Sequence, residues 1–137
     1  MASTAIDARE LTAYARELER ARRAAPQIEK KFLRQEGTKL LRRTKSEARR
    51  VKVRTGNYKK SIKRGKAYDY DGALAIRVYS TAPHAHLIED GHRIVTHDGR
   101  EVGFAQGMHI FEVSGKGFET EFLADIDDML DEVVKRL

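Results

Sequence analysis

The sequence predicts an α+β fold: N-terminal helices, a small antiparallel sheet of two hairpins, and a C-terminal amphipathic helix packed on the sheet. Three observations carry this. Apolar residues recur at spacings of three and four through the first fifty residues and again after residue 118. Between them, Leu74, Ile76 and Val78 alternate with Ala75, Arg77 and Tyr79, the period of a half-buried strand. Turn signals, Asp69-Tyr70-Asp71-Gly72 and Asp98-Gly99, punctuate that middle region. Runs of helix, then strands, then helix suit an antiparallel sheet with segregated helices.

At 137 residues the chain is long enough for one domain, 1–137, with a modest core. It divides into an N-terminal helix (1–25), a long basic helix (26–53), an antiparallel sheet with short helical turns (54–111) and a C-terminal helix (112–137). The first helix reads over 4–23, with Thr4 and Asp7 spaced as a capping box and Leu11, Tyr14, Leu18 and Ala21 on one narrow stripe. Pro26 ends it and opens the next. The second helix reads over 27–52. Leu33, Gly37, Leu40, Leu41, Thr44, Ala48 and Val51 share a face, and Gly37 marks a close helix approach or a kink.

A strand over 61–68 pairs back through the first turn with the 74–79 strand. Asp98-Gly99, between Ile94-Val95 and Val102-Phe104, makes a second hairpin. Residues 83–90 between the hairpins are too few for more than a turn or two of helix. The last helix reads over 118–137, with Phe118, Phe122, Ile126, Met129, Leu130, Val133 and Leu137 on a broad apolar face. Its early acids Glu119, Glu121 and Asp125, and its late bases Lys135 and Arg136, suit the helix dipole.

Charge is sorted along the chain. Residues 1–66 carry 21 Lys+Arg against 7 Asp+Glu, and residues 67–137 carry 6 against 14. Such polarity speaks of partners. A basic half suits nucleic acid; a basic and an acidic half on one body suit head-to-tail contact between copies, which closes into a ring when the rotation allows. The absence of cysteine excludes disulfides, thiolate metal sites and a Cys nucleophile. No apolar run is long enough to span a bilayer and no signal-peptide core follows Met1, so the expected compartment is the cytoplasm of the producing cell, with no membrane partner.

Catalytic patterns are sparse. All five histidines, His84, His86, His92, His97 and His109, fall in one stretch with Glu89, Asp90 and Asp98. On a strand, His84 and His86 would point to one side. Such groups are zinc-type ligands, and with the basic half they would make a metal-dependent nuclease. Their spacing matches no strong metal motif, and surface or interface polar roles account for them better. The expected cofactor is therefore none, and no residue is assigned to catalysis. The second candidate is a basic face for DNA phosphates or a neighbouring protein: Lys30, Lys31, Arg34, Arg42, Arg43, Arg49, Arg50 and Arg54. No helix-turn-helix, zinc-finger or ribbon signature accompanies it, so a basic DNA-binding module stands as the alternative function.

One stretch is more specific. In Arg54-Thr55-Gly56-Asn57-Tyr58-Lys59-Lys60-Ser61-Ile62, Gly56 permits a reversal, Thr55 can cap the succeeding turn, and Tyr58 and Ile62 sit four apart. Later, in Pro83-His84-Ala85-His86-Leu87-Ile88-Glu89-Asp90-Gly91, Ala85 and Ile88 can face inward and Gly91 can end a turn at positive φ. The order of these pieces resembles the HK ninety-seven gene-product-ten family of phage and prophage tail components, over roughly residues 25–137. Thr55, Gly56, Ser61 and Ile62 match the family's Thr-Gly-x-Leu-x-x-Ser-Ile block, with Tyr58 in the apolar slot. Ala85, Glu89 and Gly91 match its Ala-x-x-x-Glu-x-Gly segment, and Phe111 matches the entry to the last helix. Val53 and Arg54 replace the usual proline and acid, and His84, His92 and Ile110 replace an aromatic, a threonine and a proline.

The resemblance implies structural work without catalysis. It implies a virion part of the head–tail interface (neck, tail completion or tail-terminator-proximal), assembled in the bacterial host cytoplasm. Its implied partners are further copies in a ring, sixfold in the family's frequent form, the phage connector or adaptor, tail terminator or tube proteins, and DNA in the lumen.

Overall fold

Helix α1, Arg9–Glu47, is the spine of the molecule, 39 residues in one run. The computed structural model describes residues 3–51 and 56–135. Arg54 and Thr55, together with Val53, Arg136 and Leu137, lie outside the described residues. At about 1.5 Å per residue α1 is on the order of 58 Å long.

Pro26 does not divide it: the expected break between two helices is absent, and Pro26 sits inside α1. Proline removes one i→i−4 bond, here to the Arg22 carbonyl, and costs about 3 kcal/mol in a helix interior. Both residues are exposed, so solvent can serve that carbonyl. Good helix formers flank the site, and Ala21, Ala25, Ile28 and Phe32 keep one face in phase across it. At its start, Thr4 lies outside the helix. The expected Thr4–Asp7 capping box does not form, because the N-cap is Ala8 without a side-chain cap bond; Asp7 Oδ1 accepts only the Arg9 N–H, at 2.8 Å.

A 3₁₀ turn, Ala48–Arg50, comes directly after α1. Helix α2 is Asn57–Ser61, and the first hairpin comes next as β1 (Ile62–Arg64), β2 (Tyr68–Tyr70), β3 (Ala73–Ala75) and β4 (Val78–Ser80). β1 pairs antiparallel with β4 at its base, and β2 with β3 at its tip. Gly65 bridges the interruption by donating its N–H to the Arg77 carbonyl at 2.8 Å. The tip is the two-residue turn Asp71-Gly72, φ 53° and 82°, both left-handed as a type I′ hairpin turn needs. Asp69 and Tyr70, expected within the turn, are strand residues.

Helix α3, Ala85–Asp90, fills the segment between the hairpins. β5 (Gly91–Val95) and β6 (Glu101–Gln106) form the second hairpin. Its loop runs over Thr96–Arg100 instead of Asp98-Gly99 alone, because Thr96 N–H bonds the Arg100 carbonyl and Thr96 Oγ1 bonds Asp98. Helix α4, Ile110–Lys135, completes the α+β fold. It lies mainly along α1, with α3 near its start.

α1 therefore serves two partners on two arcs. Leu33, Gly37, Leu41 and Thr44 face the first hairpin and the core, whereas Phe32, Lys39 and Arg43 face α4. Gly37 marks a close approach, but of the first hairpin and not of another helix: a Cβ there would stand 3.0 Å from Ile76 Cδ1 and 3.1 Å from Arg64 Cδ. The core centres on Ala48, Tyr58, Ile62 and Ile110, and both isoleucines are fully buried.

Candidate functional site

The two motif blocks, more than twenty residues apart in sequence, fold into one structural node. Gly56 is the N-cap of α2 at φ 66°. Its pro-Cβ direction is open, so the glycine is required for its backbone angle and not for room. Tyr58 turns into the core. Ser61 Oγ donates to the Tyr58 carbonyl and meets Ser80 Oγ at 2.7 Å, tying α2 to β4. Ile62 is the fully buried residue beside them.

From the second block, Ala85 and Ile88 pack against that same core, as does Phe111. Glu89 has a role that no local pattern announces. Its Oε1 accepts the Phe111 N–H at 3.0 Å and its Oε2 accepts the Glu112 N–H at 3.1 Å. A carboxylate at a helix N-terminus satisfies orphan donors and meets the positive end of the dipole. Glu89 thus caps α4, which begins at Ile110 instead of near 118. Gly115 and Gly117 weaken the helical signal there, and the capping acid lies 22 residues upstream.

Gly91 holds the crossing tight. It has φ 89°, and a Cβ on it would stand 2.5 Å from the Ala105 carbonyl oxygen. A Cβ on Gly107 would stand 2.4 Å from the Glu89 carbonyl oxygen. Backbone bonds from Met108 to Ile88 (2.8 Å) and from His109 to Glu89 (3.2 Å) close the joint. Tyr58 Oη is buried without a hydrogen-bond partner, and burial, with the nearby Glu89 charge, pushes its pKa up to about 12. At neutral pH this phenol is a neutral packing group.

A charged seam joins α1 to α4. Lys39 Nζ lies 2.7 Å from Asp125 Oδ2 and 3.5 Å from Glu36 Oε1, and Arg43 reaches Glu121 at 3.9 Å. Glu36 is buried, and desolvation with the neighbouring Asp125 raises its pKa from 4.5 to about 7. The hydrogen bonds from Lys39 and Glu36 hold Asp125 below the usual carboxylate range. Part of the sequence's charge polarity is therefore used within the chain itself.

The basic residues separate into two sets. Arg43 belongs to the seam, its guanidinium lying over Gly117. Arg50 pairs with Glu47 at 3.0 Å and donates to the Met108 carbonyl at 2.9 Å, latching the 3₁₀ turn to the entry of α4. Arg34 donates to the Lys30 carbonyl at 3.3 Å along its own helix. Lys30, Lys31, Arg42 and Arg49 are exposed and form no ion pair among the described residues.

The histidines do not share a site. His84 is the N-cap of α3 and His86 lies within that helix, so the strand expected to align them is absent. His92 belongs to β5, His97 to the second loop, and His109 pairs with Glu112 at 3.1 Å. Among the described residues, no three His, Asp or Glu side chains are grouped to hold a metal ion. No described helix is long and apolar enough to cross a membrane.

The geometry is that of a scaffold node, with long helix faces left outside it. Comparison with curated proteins and with solved structures returns no match. A family model described as "Bacteriophage HK97-gp10, putative tail-component" matches residues 9–91. That span runs from the first residue of α1 to the glycine of the second block. It takes in Gly56, Tyr58, Ser61, Ile62, Ala85, Glu89 and Gly91, and leaves Phe111 outside. Because the match covers more than half of the chain and contains both motif blocks, the protein belongs to the HK97-gp10-like family of phage tail components.

Proposed function

We propose that this protein is a structural component of a phage or prophage virion. It acts at the head–tail interface, as a neck, tail-completion or tail-terminator-proximal part, and works by assembling into a ring with its own copies. The observation that carries this reading is the joint formed by the two motif blocks, in a chain whose family is that of phage tail components. The joint fixes the start of α4 to α3, and the separate charged seam holds α4 along α1, an arrangement that suits a building block. Along α1, the exposed stripe Leu11, Tyr14 and Leu18, spaced three and four apart, adds support, because a bare apolar helix face is a contact surface. The proposed partners are further copies, the connector or adaptor, and tail terminator or tube proteins.

Deleting the gene from the phage or prophage that carries it tests the reading. Particles should accumulate as separate heads and tails, or with malformed tail ends, and supplying the protein in trans should restore joined virions. Normal infectious particles without it would remove the proposal.

The exposed set Lys30, Lys31, Arg42 and Arg49 favours a subsidiary role, contact with DNA in the ring lumen. Binding to duplex DNA should then be sequence-independent and weaken steeply with salt. Absence of binding at low salt would exclude that role and leave the assembly role standing.

A further inference from the structure

We infer that the N-terminal arm of α1, residues 9–22, docks on the outer flank of α4 in a second copy of this chain. The inference deepens the assembly role proposed above and rests on it.

The stripe Leu11, Tyr14, Leu18 continues in steps of three and four through Ala21, Ala25, Ile28 and Phe32. Lower on α1 this face meets α4, where Phe32 stacks on Phe122 with ring centroids 6.1 Å apart. Higher up it is bare: Leu11 is 70 % exposed, Tyr14 50 % and Leu18 42 %. α1 has 39 residues and α4 has 26, and the two run antiparallel, as the Lys39–Asp125 and Arg43–Glu121 pairs require. The difference is about 20 Å of helix. The arm thus repeats an α4-binding face where its own α4 does not cover it.

A matching surface exists on α4 itself. Leu123, Leu130 and Val134 recur at steps of seven and four beside the α1-facing row and are all more than half exposed, Leu130 standing at the border where it also lines the open cleft between its own α4 and α1. Asp127 and Asp131 border this flank and form no ion pair among the described residues. On the arm, Arg22 lies four residues beyond Leu18, at the edge of the stripe, held by an exposed 3.4 Å pair to Glu19. Exchanging that pair for Asp127 or Asp131 of a second copy costs little, because exposed ion pairs contribute little.

Charge supplies the steering. Residues 9–23 carry five Arg against three Glu, and residues 119–135 carry seven acids against Lys135. The subunit already joins α1 bases to α4 acids in its seam, and the arm extends the same pairing to a neighbour. Arm and flank are different surfaces, so the contact is heterologous and propagates head to tail, closing when the rotation permits.

The chain contains no cysteine, so an introduced one reports a single position. Full-length Leu18→Cys and Leu130→Cys proteins, both at exposed sites, are mixed and oxidised. The expected product is the mixed disulfide dimer, exceeding either homodimer by about tenfold or more. Leu11→Glu with Leu18→Glu should weaken association of the cysteine-free chain by at least about tenfold in sedimentation, with its thermal melt unchanged. Predominant Leu18–Leu18 cross-linking, or oligomers indifferent to the arm glutamates, would overturn the docking site while leaving assembly intact. A wild-type chain that stays monomeric at high concentration, together with no cross-link of any kind between the cysteine variants, would overturn both.

Discussion

The two halves of α1 carry the same apolar rhythm and meet different fates. Residues 26–47 lie between α4 and the first hairpin, and Leu33, Glu36, Gly37 and Thr44 are buried there. Residues 9–25 keep the stripe and lose the cover, so Leu11, Tyr14 and Leu18 face solvent. A periodic face therefore declares that a helix has something to bind. Whether the partner is in the same chain depends on the lengths of the elements that fold against it.

The largest effects should come from the covered half and its node. Gly91→Ala places a Cβ against the Ala105 carbonyl at a left-handed φ and should cost about 3 kcal/mol or more. Ile62→Ala should cost about 3 kcal/mol through the cavity it leaves. Leu11→Ala in the arm should stay within about 0.5 kcal/mol by the same denaturant titration. Equal losses at Ile62 and Leu11 would erase the distinction between the two halves. Next in size is the cap of α4. Glu89→Ala removes both acceptors from Phe111 and Glu112 and should cost about 1–2 kcal/mol, with Glu89→Gln retaining part of that. A neutral Glu89→Ala melt would mean that the node does not organise α4.

The seam gives a pH test. Glu36 has a folded pKa of about 7 against 4.5 for the free group, so the folded chain binds a proton that the unfolded chain releases. Its contribution is complete below about pH 4.5 and is lost as pH rises through 7, on the order of 3 kcal/mol. Asp125 is held low and acts in the opposite sense, its contribution vanishing as pH falls through the acid range. Glu36→Gln should flatten the decline between pH 5 and 8 in thermal melts. An unchanged slope in that variant would show that Glu36 ionises normally. The smallest effect lies at the arm's edge: Arg22→Ala loses only an exposed 3.4 Å pair and should leave the monomer's melt within about 1 °C.

Features governed by near neighbours were legible in the sequence. Asp71-Gly72 turns the first hairpin and Ala85–Asp90 forms a short helix between hairpins, whereas the strand read over 74–79 is interrupted at Ile76-Arg77 and its alternation fails at Ala75, which is half-buried like Leu74 and Ile76. The features that escaped were set by distant neighbours. Pro26 stays inside α1 because α4 and the hairpin hold the helix from both sides farther along. The start of α4 depends on Glu89, and the burial of Glu36 depends on Lys39 and Asp125 arriving together. Of the node, Gly56, Tyr58, Ile62, Ala85 and Gly91 could be assigned turns or core faces locally. The capping role of Glu89 could not.

Native mass measurement with negative-stain imaging of the purified chain, at low and high salt, addresses the assembly claim most directly. A closed ring of copies at low salt, loosened as salt screens the arm from α4, is the predicted result. A monomer at every concentration and ionic strength, unchanged when tail and connector proteins are added, would contradict it.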